Sequence, residues 1–122
     1  MVFDPPVTRA RIVRISVYRV PNEVTIDQLA DALSGGAFLL DVRTPEEYAE
    51  KRVPGAVLIP LGELGDRVEE VPDDGVVYVI CATGMRSMRA AEAMERAGWE
   101  AVNVAGGTNA WVDAGRPFDS GE

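Results

Sequence analysis

Apolar positions along the chain fall into two kinds of run. Short apolar stretches recur: VTI (24–26), AFLLDV (37–42), AVLIP (56–60), VVYVI (76–80) and AVNV (101–104). Each reads as a buried strand bounded by turn residues. Between them, apolar residues recur at helical spacing. DQLADAL is read as a helix with Asp27 as N-cap and with Leu29, Ala30 and Leu33 on one face. Gly35-Gly36 stops it. PEEYAEK is a short helix opened by Pro45. LGELGDRVEEV is weakly helical, and VPDDG (71–75) is a turn. In RSMRAAEAMERAG, Met88, Ala91, Met94 and Ala97 keep helical spacing, Glu92 precedes Arg96 by four residues, and Gly98 ends the helix. GGTNAWVDAG closes the pattern with a last short helix.

Continuous apolar strands that alternate with helices are covered on both faces, which predicts an α/β domain with a mostly parallel five-stranded sheet. Ligands of such sheets bind beyond the carboxyl ends of the strands, and Cys81 stands at one of those ends. Residues 9–20 differ. Val13, Ile15 and Val17 alternate with Arg14, Ser16 and Tyr18, the period of a half-exposed strand. This arm is expected either to add an extra strand at the sheet edge or to pair with another subunit, in a monomer or weak homodimer.

Length and composition fit one soluble globular domain: 122 residues, 47% hydrophobic and 26% charged. No window has the apolar length of a membrane span. The first twenty residues intersperse arginine with apolar residues, unlike a signal peptide, so a cytoplasmic protein is expected. Those twenty residues hold four Arg and one Asp, +3; the remainder holds eight bases and nineteen acids, −11. An acidic body argues against nucleic acid as a partner. One cysteine excludes an intramolecular disulfide and a Cys-rich zinc site. The absence of histidine excludes Ser-His-Asp triads, Cys-His pairs and HExxH metal sites. Any nucleophile here must be activated without imidazole.

The stretch VVYVICATGMRS supplies a means. A compact turn between a strand and a helix aims backbone N–H groups inward and adds the positive end of the helix dipole. Arg86, five residues after Cys81, sits where turn meets helix and is expected to fold back over the cup. Such settings lower a thiol pKa from about 8.5 to roughly 3.5–7.5. A drop of about two units is worth about 2.7 kcal/mol. The helix end supplies about 0.3–1 kcal/mol of that, so the turn amides and Arg86 must supply most of the rest. The competing reading of Cys81 is an inert core thiol.

These residues closely resemble the rhodanese (sulfurtransferase) family, single-domain type. CATGMRS matches its C-x-x-G-x-R-S loop, DVRTPEEY its D-x-R-x-x-x-E-[FY] segment, and VPGAVLIP its I-P-G-A-x-x-I-P stretch. AAEAMERAGWEAVNVAGGTNAW is similar to the family's closing segment. The four motifs run in family order and cover residues 24–118. They leave 1–23 as an N-terminal arm and 119–122 as a tail. Where the family often has Gly-His-Ile, this chain has Lys51-Arg52-Val53.

The resemblance implies catalysis by Cys81 and Arg86. Cys81 takes a sulfur from thiosulfate or a persulfide, carries it as a persulfide, and passes it to cyanide, a thiol or a protein acceptor. Ala82, Thr83, Gly84, Met85 and Ser87 would bind the donor and persulfide through the loop amides. Arg43 is expected to pair with Glu47 as scaffold, and Asp41 either touches the site or braces it. Gly106 and Gly107 are read as a turn, and Trp111 as core. No motif implies a cofactor, metal or membrane. Two rivals stand beside this reading. A cysteine phosphatase or arsenate reductase of related fold has five residues between Cys and Arg, where this chain has four. A non-enzymatic sulfur carrier or protein-binding module is the other.

Overall fold

The computed structural model describes residues 22–121. Residues 9–20, with their expected edge strand, lie outside the described residues. Five strands form one sheet: β1 (Asn22–Val24), β2 (Phe38–Asp41), β3 (Val57–Leu58), β4 (Val76–Ile80) and β5 (Glu100–Val104). All the pairings are parallel, in the order β1-β5-β4-β2-β3. The register sets Asp41 opposite Ile80 and Val79 opposite Asn103. The carboxyl ends of β2, β4 and β5 therefore lie side by side, with β4 in the middle.

Alternation along the strands builds a core on each face. Leu40, Val77, Val79 and Cys81 pack with Ala90, Ala91 and Met94 of α4 (Met85–Arg96). Leu39, Ile80 and Val104 pack with Leu29 of α1 (Ile26–Ser34), Tyr48 of α2 (Pro45–Glu50) and Trp111 of α5 (Gly107–Asp113). Helices thus cover both faces, as the continuous apolar strands require. A short helix, α3 (Leu64–Arg67), sits between 3₁₀ turns at Leu61–Glu63 and Val68–Glu70 and adds Leu64 to the first core. No helix among the described residues is long and apolar enough to cross a membrane.

The helix after VTI starts differently from the sequence expectation. Its N-cap is Thr25, not Asp27. The Thr25 hydroxyl accepts from the Gln28 N–H at 3.1 Å, and the Gln28 side chain accepts from the Thr25 N–H at 2.9 Å. This reciprocal box satisfies two helix-end donors, which Asp27 could not do from inside the first turn. Asp27 instead accepts from Arg116 at 2.8 Å. With Thr25 as cap, the strand shifts to Asn22–Val24, and Ile26 enters the helix. Two further expectations change. The third strand is only Val57–Leu58; beyond it, Ile59 N–H still donates to the Asp41 carbonyl and Leu61 N–H to the Val42 carbonyl. In α4 the inner face is Ser87, Ala90, Ala91 and Met94, while Ala97 is exposed at the cap.

At the other end of the described chain, residues 119–121 are tied to residues 49–52. Arg52 and Asp119 exchange two backbone bonds of 2.9 Å, and Gly121 N–H donates to the Ala49 carbonyl.

The capping geometry makes a direct prediction. Thr25→Ala should lower stability by about 1 kcal/mol, whereas Asp27→Ala, which removes an ion pair with an exposed aspartate, should lower it by less than about 0.5 kcal/mol. Urea midpoints of the two variants check the assignment.

Candidate active site

Cys81 directly follows β4 and is 1% exposed. The turn after it ends on Gly84, the N-cap of α4, at φ +105°. A side chain there would be strained, and its Cβ would press on the Val104 carbonyl and the Gly106 N–H at 3.4 Å. This conformation aims the Gly84 N–H at Sγ, 3.1 Å away. The Ser87 hydroxyl lies 3.3 Å from the same sulfur. Burial pushes the Cys81 thiol up. The Ser87 hydroxyl and the N–H groups of Ser87, Gly84 and Thr83 outweigh it, leaving the pKa below its ordinary value. No histidine takes part.

A second element holds the turn from outside. The Thr108 N–H donates to the Cys81 carbonyl at 2.8 Å, and the Asn109 N–H to the Ala82 carbonyl at 3.1 Å. Gly106 and Gly107 have φ of +79° and +62°, the unusual backbone angles expected of that turn. Gly107 does more. A Cβ there would lie 2.5 Å from both the Cys81 and Ala82 carbonyl oxygens. Only glycine lets α5 approach the Cys81 turn this closely. The Thr108 hydroxyl is buried without a protein partner beside a polar hollow of about 170 Å³, which has room for water to bond it. A hollow of about 540 Å³ lined by Gly36, Phe38, Gly75 and Val76 lies at the opposite end of the strands from Cys81.

The ion pairs differ from the expected scheme. Arg43 does not pair with the Glu47 carboxylate. Its Nε and Nη2 grip Asp41, with contacts of 2.9 and 2.7 Å, and both residues are buried. Nη2 also donates to the Lys51 carbonyl at 2.8 Å, and Nη1 to the Glu47 carbonyl at 3.4 Å. Arg43 thereby ties the end of β2 to the last turn of α2. The bend after Asp41 explains the exchange: Arg43 precedes the helix, so its i,i+4 relation to Glu47 is not a helical one.

Glu47 instead takes Arg86, with two contacts of 2.9 Å. The Arg86 guanidinium is thus held by a carboxylate, and no hydrogen bond from it to the Cys81 sulfur is present among the described residues. Arg86 leans from α4, on one face of the sheet, to α2, on the other, and spans the crevice where the connections after β4 and β2 diverge. The Arg86 guanidinium holds the Glu47 carboxyl at about 2, against an ordinary 4.5, assisted by Thr44. Arg86 is raised in turn, first by Glu47 and to a smaller extent by Cys81 and Asp41. Its charge reaches the thiolate but is already matched by a carboxylate. Most of the anion stabilisation therefore falls to the turn amides and Ser87.

Among the loop residues, Met85 is 77% exposed at the mouth and Thr83 is exposed, whereas Ser87 is buried. The sequence reading missed Asn103. This residue is fully buried on β5, and its side chain bonds Ser87, Glu23 and the Gly84 carbonyl. A polar residue inside the buried strand AVNV was the available signal, since such a group must find partners.

Comparison with known proteins agrees with this geometry. A profile of the Rhodanese-like domain matches residues 25–114. A "Sulfurtransferase" of Allochromatium vinosum is 33% identical over 100 residues, which cover 80% of this chain and 94% of that protein. The "Putative sulfur carrier protein YrkF" of Bacillus subtilis is 43% identical over 75 residues, 61% of this chain but only 40% of that protein. The crystal structure of a rhodanese-like domain protein from Staphylococcus aureus superimposes with a TM-score of 0.74 at 35% identity, covering 83% of this chain and 99% of that one.

Two predictions follow from the geometry. Because Glu47 is held at about 2 in the fold against its ordinary 4.5, its stabilising share is complete above that ordinary value. It is lost as pH falls through the range between the two. Urea midpoints of wild type and Glu47→Gln should thus differ at pH 7 and converge towards pH 2. Gly107→Ala should displace the Cys81–Ala82 backbone and slow alkylation of the Cys81 thiolate at least about tenfold, a shift in thiolate population worth about 1.4 kcal/mol; stopped-flow alkylation reads it.

Proposed function

The chain belongs to the rhodanese-like domain family, and we propose that it works as a sulfurtransferase in which Cys81 carries the travelling sulfur as a persulfide. The observation that carries this reading is the Cys81 sulfur itself, held at the end of the central strand by the Gly84 N–H and the Ser87 hydroxyl. Converging donors of this kind favour an anionic sulfur nucleophile.

In this reading the thiolate attacks the outer sulfur of thiosulfate or of a persulfide. A sulfur–sulfur bond forms to Sγ as the donor's sulfur–sulfur bond breaks. Sulfite or a thiolate leaves with the bonding electron pair. The terminal sulfur of the Cys81 persulfide then lies at the cup's mouth, near the exposed Met85 and Thr83. An external nucleophile attacks that terminal sulfur and Cys81 departs as thiolate, ready for the next cycle. The acceptor must be external, because the chain has no second cysteine to resolve the persulfide. Cyanide, a small thiol or a protein thiol each meet the requirement. A reducing setting such as the cytoplasm suits a lone thiol that must stay unoxidised.

A second reading, a sulfur carrier that trades persulfide with proteins and turns over small donors poorly, is favoured by one observation. The Arg86 charge is committed to Glu47, so the mouth offers a dianion such as thiosulfate less attraction than a free guanidinium would. A rhodanese-like phosphatase is disfavoured by the short turn, with four residues between Cys81 and Arg86.

Intact mass after incubation with thiosulfate tests the proposal, with Cys81→Ser as control. Wild type should gain one sulfur atom and lose it to cyanide as thiocyanate appears, while the variant does neither. If wild type loads only from a protein persulfide, the carrier reading replaces the thiosulfate one. If reduced, accessible Cys81 loads from neither donor, sulfur transfer is wrong.

A further inference from the structure

Behind the Ser87 hydroxyl runs a chain of hydrogen bonds, through Asn103 to Glu23, to which the sulfur-transfer steps above give no role. Asn103, on β5, is fully buried. Its Nδ2 donates to Glu23 Oε2 at 2.8 Å and to the Gly84 carbonyl at 3.1 Å. Carboxylate and carbonyl oxygens only accept, so the amide nitrogen must face them. The amide oxygen Oδ1 is thereby turned towards Ser87, whose Oγ lies 2.5 Å away. The same Oγ stands 3.3 Å from Cys81 Sγ. A serine hydroxyl owns one proton and cannot give it to both acceptors at once.

We infer that Glu23 and Asn103 form a positioning pair that holds the Ser87 proton away from the sulfur until Cys81 ionises. With Cys81 a thiol, S–H donates to Ser87 Oγ and Ser87 donates to Asn103. When the thiol proton leaves to solvent, Ser87 turns its own proton to the sulfur and Asn103 Oδ1 loses its donor. After the sulfur is loaded, Sγ is the inner, neutral atom of a persulfide, and the Ser87 proton returns to Asn103. The pair thus opposes the thiolate relative to both the thiol and the loaded form. A thiolate stabilised less is a better nucleophile, with a Brønsted dependence of about 0.4–0.5. The Glu23 carboxylate strengthens the effect by polarising the Asn103 amide.

Other charged groups face Cys81 in matched pairs. Arg86 comes from α4 and its partner Glu47 from α2. Asp41 and Arg43 follow β2 and bond each other. The residues of α5 that meet the turn, Gly107 and Thr108, carry no charge. Among the described residues, Glu23 is the carboxylate that reaches the thiol's surroundings through Asn103.

The test uses the full chain, whose single cysteine makes thiolate absorbance near the far-ultraviolet edge specific to Cys81. Glu23→Gln keeps an oxygen for Asn103 but removes the charge. It should lower the titration midpoint by about half a unit, about threefold in the thiolate-to-thiol ratio. In a Ser87→Ala background the same substitution should leave the midpoint unchanged. Asn103→Val breaks the chain at its other link and serves as a second background with the same expectation. No shift in the unbroken chain, or an equal shift in the broken one, overturns the inference; the latter would mean a charge acting through space. Although it rests on Cys81 as the reactive thiol, the titration needs no sulfur donor, so it stands or falls separately from sulfur transfer.

Discussion

A buried sulfur is a poor place for negative charge unless donors converge on it, and the rest of this structure follows from meeting that demand without histidine. The donors are the amides of the turn after β4 and one hydroxyl at the first turn of α4. Amides point inward only if the backbone passes through the left-handed region, which places Gly84 at the helix start. The turn keeps that shape because α5 bonds its outer carbonyls, and α5 comes close enough only through Gly107. The middle position of β4 brings these neighbours within reach. A strand at the sheet edge would lack a partner on one side, and here β5 supplies Asn103 from that side.

Two ion pairs among the described residues flank the thiol. Arg43 uses its guanidinium to bind the buried Asp41 and the part-buried carbonyls of Glu47 and Lys51 at the end of α2. Removing one member of such a buried pair leaves an uncompensated charge, which costs about 3–5 kcal/mol. That pair is scaffold. The Arg86–Glu47 pair is partly exposed and joins α4 to α2 across the crevice at the carboxyl end of the sheet. Matching Arg86 to a carboxylate leaves the cup dependent on dipoles, which act at short range, and burial of the sulfur lessens their screening by salt.

Several elements were legible along the chain because their causes are local. Continuous apolar runs identified buried parallel strands, and the glycines that end helices were visible as such. Cys81 at a strand's end, with Gly84 and Arg86 following, marked the turn as the candidate site. Thr25 was legible too, since Thr-x-x-Gln is a capping box; Asp27 drew the assignment because it is also a good N-cap type. The partners of Arg43 and Glu47 were not. The family resemblance paired them, but Arg43 lies before the helix, where its guanidinium meets Asp41, and Glu47 meets Arg86 instead.

Local patterning, then, was enough for the class of fold and for placing Cys81 at a strand's end before a glycine-containing turn, because propensity, periodicity and glycine conformation act over a few neighbouring residues. Which carboxylate meets which guanidinium was settled by assembly. Glu47 and Arg86 are 39 residues apart, and Asn103 and Glu23 are 80 apart. Such contacts depend on strand order and register, which bring the ends of β1, β5, β4 and β2 together. Hydrogen bonds of about 3 Å discriminate between partners only after packing has fixed the backbones, so no reading of spacing along the chain could have chosen among them.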